Sequence, residues 1–166
     1  MLKEKIQEDI KTAMRSGEQL AVSTLRMLAA SITSKEKEKR YKASKQSPEI
    51  NEEQLVKESQ LADEEIIETI SSEVKKRRDS VTAYEKGNRP ELAQKEKDEI
   101  IILQKYLPEQ LSEEDIRKIA SQAISKTGAK EMKDMGKVMA ELSPQIKGKA
   151  DGSIVSKIIK ELLSAK

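Results

Sequence analysis

Along the chain, apolar residues fall into short stripes of helical spacing separated by polar and charged positions. Leu2, Ile6, Ile10 and Met14 recur every fourth residue, the pattern of one helix face, and Gly17 ends it. Leu25, Leu28, Ala29 and Ile32 mark a second helix beginning after Gly17. Ile67, Ile70, Val74 and Val81 predict a third from about Ala62 to Lys86, stopped by Gly87-Asn88. Pro90 suits the first turn of a fourth, with Leu92, Ile100, Leu103 and Leu107 as its stripe, and Tyr106-Leu107-Pro108 closes it. Ser112 followed three residues later by Asp115 reads as a cap for a fifth helix, carried by Ile116, Ile119, Ala120, Ala123 and Ile124 until Gly128. Met132, Met135, Met139 and Leu142 predict a sixth, and Ile154, Ile158, Ile159, Leu162 and Leu163 a seventh. The fold class expected is all-α, about seven helices and no convincing strand. The division falls at Pro108: a four-helix N-terminal subdomain, 1–107, and a three-helix C-terminal subdomain, 108–166.

Charge patterning separates one region from the rest. Residues 35–45 carry an excess of four positive charges, whereas residues 46–73 carry an excess of eight negative ones. With the Ser47-Pro48 step and the polar run to Asn51, the stretch of about 41–61 reads as a mobile excursion between helices.

Composition then removes whole chemistries. The chain has 166 residues with no His, Cys, Trp or Phe and three Tyr. Zinc sites, thiol nucleophiles, Ser-His systems and aromatic stacking platforms all need residues that are missing. No metal site, cofactor or catalytic residue is expected, and no carboxylate pair stands out. The start of the chain shows no apolar signal-peptide core, and no apolar run approaches the roughly 18 residues of a membrane span. A soluble, cytoplasmic protein with no membrane partner is expected. The formal net charge of +2 argues against a protein that wraps polyanions over its whole surface.

Two places draw attention as binding sites. Lys75, Lys76, Arg77 and Arg78 lie within the third helix, where about 100° per residue spreads them over some 300°. Relative to Val74, Arg77 falls at about −60° and Arg78 at about +40°, with Val81 near −20°. Arg77 is therefore within the apolar stripe, either pairing with a carboxylate at a helix crossing or facing phosphate. The second place is Lys147-Gly148-Lys149-Ala150-Asp151-Gly152-Ser153, a glycine-punctuated basic loop before the last helix. Such a loop suits an anion, although Asp151 or Ser153 serves equally as an ordinary N-cap. Gly136 interrupts the methionine stripe at a cost of about 1 kcal/mol in a helix interior, which suggests close approach of another backbone or a ligand. The methionines themselves read as core.

These residues resemble the YqeY family over nearly the full length. The matching stretches are Leu25-Arg26-Met27-Leu28, Val74 to Ser80 with Tyr84, Tyr106 to Leu111, Met135-Gly136-Lys137-Val138-Met139, and Lys147 to Gly152 with Val155. The last two are also similar to the tail of the GatB subunit of glutamyl/aspartyl-tRNA amidotransferase. Here the segment between them is longer and carries Ser143-Pro144, and Gly152 stands where that tail commonly has proline. Residues of about 41–61 look like an insertion relative to shorter family members.

The resemblance implies an all-helical fold of two subdomains and a tail-like module that contacts the tRNA body. It also brings a label, carbon-nitrogen ligase with glutamine as amido donor, whose catalytic core this chain lacks. The expected function is a non-catalytic accessory module that binds tRNA or structured RNA through Lys137, Lys147, Gly148, Lys149 and Gly152, with Lys75, Lys76, Arg77 and Arg78 as further candidates. Residues 126–160 carry a local excess of four positive charges, which suits phosphate. The alternative is a protein-interaction module acting with an aminoacyl-tRNA or amidotransferase component.

Overall fold

The computed structural model describes residues 1–47 and 49–164. Its elements are α1 (Leu2–Ser16), α2 (Gln19–Gln46), α3 (Glu52–Glu58), α4 (Asp63–Lys86), α5 (Pro90–Gln104) and α6 (Glu113–Thr127). A 3₁₀ turn at Met132–Asp134 then leads into α7 (Met135–Ile146) and α8 (Gly152–Ser164). The described residues are all-helical, with no strand. The chain divides into two compact units, Met1–Tyr106 and Leu107–Lys166.

In the first unit α4 lies along α5, and α2 packs against α1, α4 and α5. Ile6, Leu28, Ile32, Ile66, Ile70 and Leu103 are fully buried there. The stripe of α1 is rotated from the one expected: Ala13 is buried and Met14 is exposed, its sulfur accepting from Arg26. Pro90 opens α5 and Gly17 closes α1 in the left-handed conformation, as their backbone chemistry favours. At Gly87-Asn88 it is Asn88 that takes the positive φ, 52°.

The stretch 41–61 differs from a simple excursion. Residues 41–46 continue α2, and α3 adds a short helix capped by Asn51, whose side chain accepts from the Gln54 N–H. Pro48 lies outside the described residues. The return is tied to α2 by Lys39, which bonds Glu65 and the Gln60 carbonyl, and by Arg40, which donates to Ser59. α3 buries no residue, which is why no stripe announced it.

In the second unit α6, α7 and α8 surround Ala120, Val138, Leu142, Val155 and Ile159. The Ser112 side chain accepts from the Asp115 N–H and starts α6, and Gly128 ends it at φ 66°. Met135 and Met139 pack on this core, but Met132 is 47% exposed, because the 3₁₀ turn places it out of phase with α7. Gly136 is exposed in the first turn of α7, and a Cβ there would meet no atom within 4 Å. The close approach expected at Gly136 does not occur.

Candidate functional site

α7 ends at Ile146 and the chain reverses through Lys147-Gly148-Lys149. Gly148 stands at φ 72°, a conformation that costs an L-residue energy and glycine little. The Lys149 and Ala150 N–H groups both bond back to the Ile146 carbonyl, which closes the turn on the end of α7. The turn is also tethered across the unit. The Gly148 carbonyl accepts from the Gln110 side-chain amide at 2.8 Å, and the Lys149 carbonyl accepts from the Leu111 N–H at 2.8 Å. Gly148 is thereby buried, while Lys147 and Lys149 on either side of it are exposed. A glycine and two lysines in this order put two cations on a backbone that cannot easily rearrange.

The start of α8 is occupied differently from the anion-binding alternative. The Asp151 carboxylate accepts from the Ser153 N–H at 2.8 Å and so caps the helix with a negative charge. Gly152 is exposed and nothing lies within 4 Å of where its Cβ would be, so its surroundings make no demand for glycine. The N-terminus of α8 is therefore already met by a carboxylate of the chain itself.

Lys137 lies in the first turn of α7, about 15 Å along the helix axis from Lys147 at a rise of about 1.5 Å per residue. Its side chain is exposed and stands 3.5 Å from Asp134. The Lys130 and Glu131 N–H groups hold the Asp134 carboxyl below the usual carboxylate range. The pair is loose and its lysine is exposed, of the kind that contributes little. The separation suits an extended backbone ligand more than a single small anion at both places.

The run in α4 is not one surface. Lys75 is exposed beside Asp79, and Arg78 is half-buried. Lys76 is exposed but donates to Glu73 at 2.8 Å. Arg77 is buried, as its position in the stripe predicts, and it pairs at a helix crossing. Its Nε donates to Glu99 of α5 and its Nη1 to Glu73, both at 2.9 Å, with a further bond to the Glu73 carbonyl. That corrects the place of Arg77 among the phosphate-facing residues: it holds α4 to α5.

Sequence reasoning missed the carboxylates of this network. Glu73, Glu99 and, separately, Glu36 are buried. Glu36 holds the Lys3 ammonium at 2.6 and 2.8 Å and accepts from the Leu61 N–H. The available signal was spacing: Glu73 precedes Arg77 by one turn, and Glu36 follows the buried Ile32 by one turn. Among the described residues no group of three or more Asp, Glu, His or Cys is arranged to hold a metal ion, and no helix is long and apolar enough to cross a membrane.

Two helical units, the second carrying a glycine turn between exposed lysines, define the class. The YqeY family, described as Yqey-like protein, matches residues 3–163, and the chain belongs to that family. A similar protein is the "Altered inheritance of mitochondria protein 41, mitochondrial" of Pyrenophora tritici-repentis (strain Pt-1C-BFP). It is 30% identical over 166 residues, an alignment spanning 98% of this chain and 81% of that one.

Proposed function

We propose that the protein is a non-catalytic module that binds tRNA or structured RNA through its phosphate backbone. Lys147 and Lys149 are its main contacts and Lys137 is an outlying one. The observation that carries this reading is the turn itself: Gly148 at positive φ, fastened by Gln110 and Leu111, between two exposed lysines. Likeness of the same stretch to the GatB tail supports it. Reading an RNA helix by shape and phosphate needs no aromatic side chains, so their scarcity is no obstacle. Lys75, Lys76 and Arg78 on α4 are secondary contacts, and Gly152 serves only as a neighbour of the turn.

The test is a filter titration of bulk tRNA against the whole chain at low salt. Saturable binding that weakens steeply as salt is raised supports the reading. Absence of binding at low salt overturns it and directs attention to an aminoacyl-tRNA or amidotransferase component as a protein partner, whose capture would survive high salt. A cytoplasmic location belongs to the same proposal. The relative carries mitochondria in its name, and fractionation of the tagged protein decides between the two compartments.

A further inference from the structure

Between α2 and α4 of the first unit lies a polar notch of about 170 Å³. Ser31, Ser34 and Lys35 face it from α2, and Ser72, Glu73 and Lys76 from α4. No apolar side chain lines it. Thr69 completes the wall, with its hydroxyl already committed to the Glu65 carbonyl.

Glu73 is the fixed point of the notch. One carboxylate oxygen, Oε2, is held by the buried Arg77, which Glu99 anchors from α5. The other, Oε1, lies 3.3 Å from the Ser31 hydroxyl and 2.8 Å from the Lys76 ammonium. Burial works to raise the pKa of Glu73, but hydrogen bonds from Lys76 and Arg77 outweigh it and hold the group ionised at neutral pH. An oriented acceptor thus stands among hydroxyls. Those of Ser34 and Ser72 take no hydrogen-bond partner among the described residues. Lys35 and Lys76 bring a cation from each helix.

This set of groups restricts the ligand. Two lysines oppose a metal cation, and every side chain that lines the notch carries a polar or charged group, which favours a polar ligand. The volume equals that of about five or six liquid waters, enough for one small polar ring. A carboxylate flanked by hydroxyls matches a vicinal diol, and cations beside it match a phosphate on the same molecule. We infer that the notch binds ribose carrying a phosphate, from either a free nucleotide or an unpaired nucleotide of RNA. Glu73 accepts from the sugar hydroxyls, Ser31, Ser34 and Ser72 complete their hydrogen bonds, and Lys35 and Lys76 take the phosphate. A 2′-hydroxyl is both donor and acceptor, so such a notch tells ribose from deoxyribose. This inference does not rest on the turn of the second unit, with which it shares no residue; Lys76, a secondary contact of the proposed RNA surface, is the one residue common to both readings.

The experiment is an NMR titration of the ¹⁵N-labelled full chain, with ribose 5-phosphate, 2-deoxyribose 5-phosphate, inorganic phosphate, serine, and an unstructured RNA trinucleotide with its DNA counterpart. Ribose 5-phosphate should shift amides of residues 31–35 and 69–76 saturably, and bind about tenfold tighter than the deoxy sugar, because the site loses a hydroxyl partner. Ser34→Ala and Ser72→Ala, both at exposed positions, should each weaken it about threefold with unchanged melting. The Lys147→Ala/Lys149→Ala variant should bind it unchanged. Tighter binding of the RNA trinucleotide than of ribose 5-phosphate identifies the polymer as the source, and weaker binding identifies the free nucleotide; either supports the site. Equal affinity for ribose and deoxyribose, shifts scattered over surface lysines, saturation by serine in place of the sugar, or no shift at all would each overturn it.

Discussion

Replacing Arg77 by Ala removes the cation from between two buried carboxylates. Glu73 and Glu99 each have side chains about one-tenth exposed, and Arg77 is their shared partner. Deleting one member of a buried ion pair costs about 3 to 5 kcal/mol, most of it the charge left uncompensated. The lower end applies, because Lys76 still serves one oxygen of Glu73. Lys76→Ala is the control: its side chain is 68% exposed, and such a contact is worth about 0.2 to 1 kcal/mol. Urea unfolding followed by tyrosine fluorescence isolates the first unit, because Tyr41, Tyr84 and Tyr106 all lie within it and the chain has no Trp.

The pH dependence adds a sign. In the wild type Glu73 has a lowered pKa, so its contribution is present above the unfolded value of about 4.3 and is lost as pH falls through the folded one. Without Arg77, the burial of Glu73 is less opposed and its folded-state pKa rises. The folded variant then binds protons more readily than its unfolded chain, so its deficit shrinks as pH falls from 7 to 5. Arg77→Met with Glu99→Met leaves Glu73 to Lys76 and should recover more than half of the loss. Equal stability of Arg77→Ala and Lys76→Ala, or a deficit independent of pH, refutes this reasoning.

Tyr106 is buried, and its hydroxyl donates to Asp9 at 2.6 Å; burial, with the neighbouring carboxylate, pushes its pKa well above the tyrosine range. The unfolded chain therefore releases this proton first, near pH 10, and stability should fall above that pH in a denaturation series, with Tyr106→Phe removing the slope and costing about 1 kcal/mol at pH 7. Limited trypsin treatment should cut first between Lys45 and Lys57, where α2 ends and α3 buries nothing, and first cleavage within α4 would contradict the burial found there. Gly148→Ala should lower the melting temperature of the second unit by an amount equivalent to about 1 to 2 kcal/mol, because its φ of 72° is strained for a residue with a Cβ; unchanged melting would show that the turn relaxes freely.

The helices were legible because most stripes end at a residue with one physical role: Gly17 and Gly128 in the left-handed conformation, and Pro90 in a first turn. α3 was not, since a helix without a buried face leaves no periodic trace. Met132 was placed in the core by spacing that assumed one continuous helix, and the 3₁₀ turn breaks that phase. Gly136 raised an expectation that holds for helix interiors, whereas it lies in a first turn. Burial of Arg77 followed from its angle on the helix, but its partner Glu99 sits on another helix, which periodicity cannot align. For the same reason Ser31, Ser34 and Ser72 were silent: their chemistry exists only where α2 meets α4. The Lys-Gly-Lys turn was visible as a local pattern, though not its fastening by Gln110.

The most direct measurement of the central claim is the salt dependence of tRNA binding for the wild type and the Lys147→Ala/Lys149→Ala variant, plotted as the logarithm of affinity against the logarithm of salt. Each phosphate contact releases about 0.7 to 0.9 counterions, so loss of both lysines should reduce the slope by about 1.4 to 1.8, with the fold intact by circular dichroism. A wild-type protein that binds no tRNA at low salt, or a variant with an unchanged slope, would contradict the assignment of RNA binding to this turn.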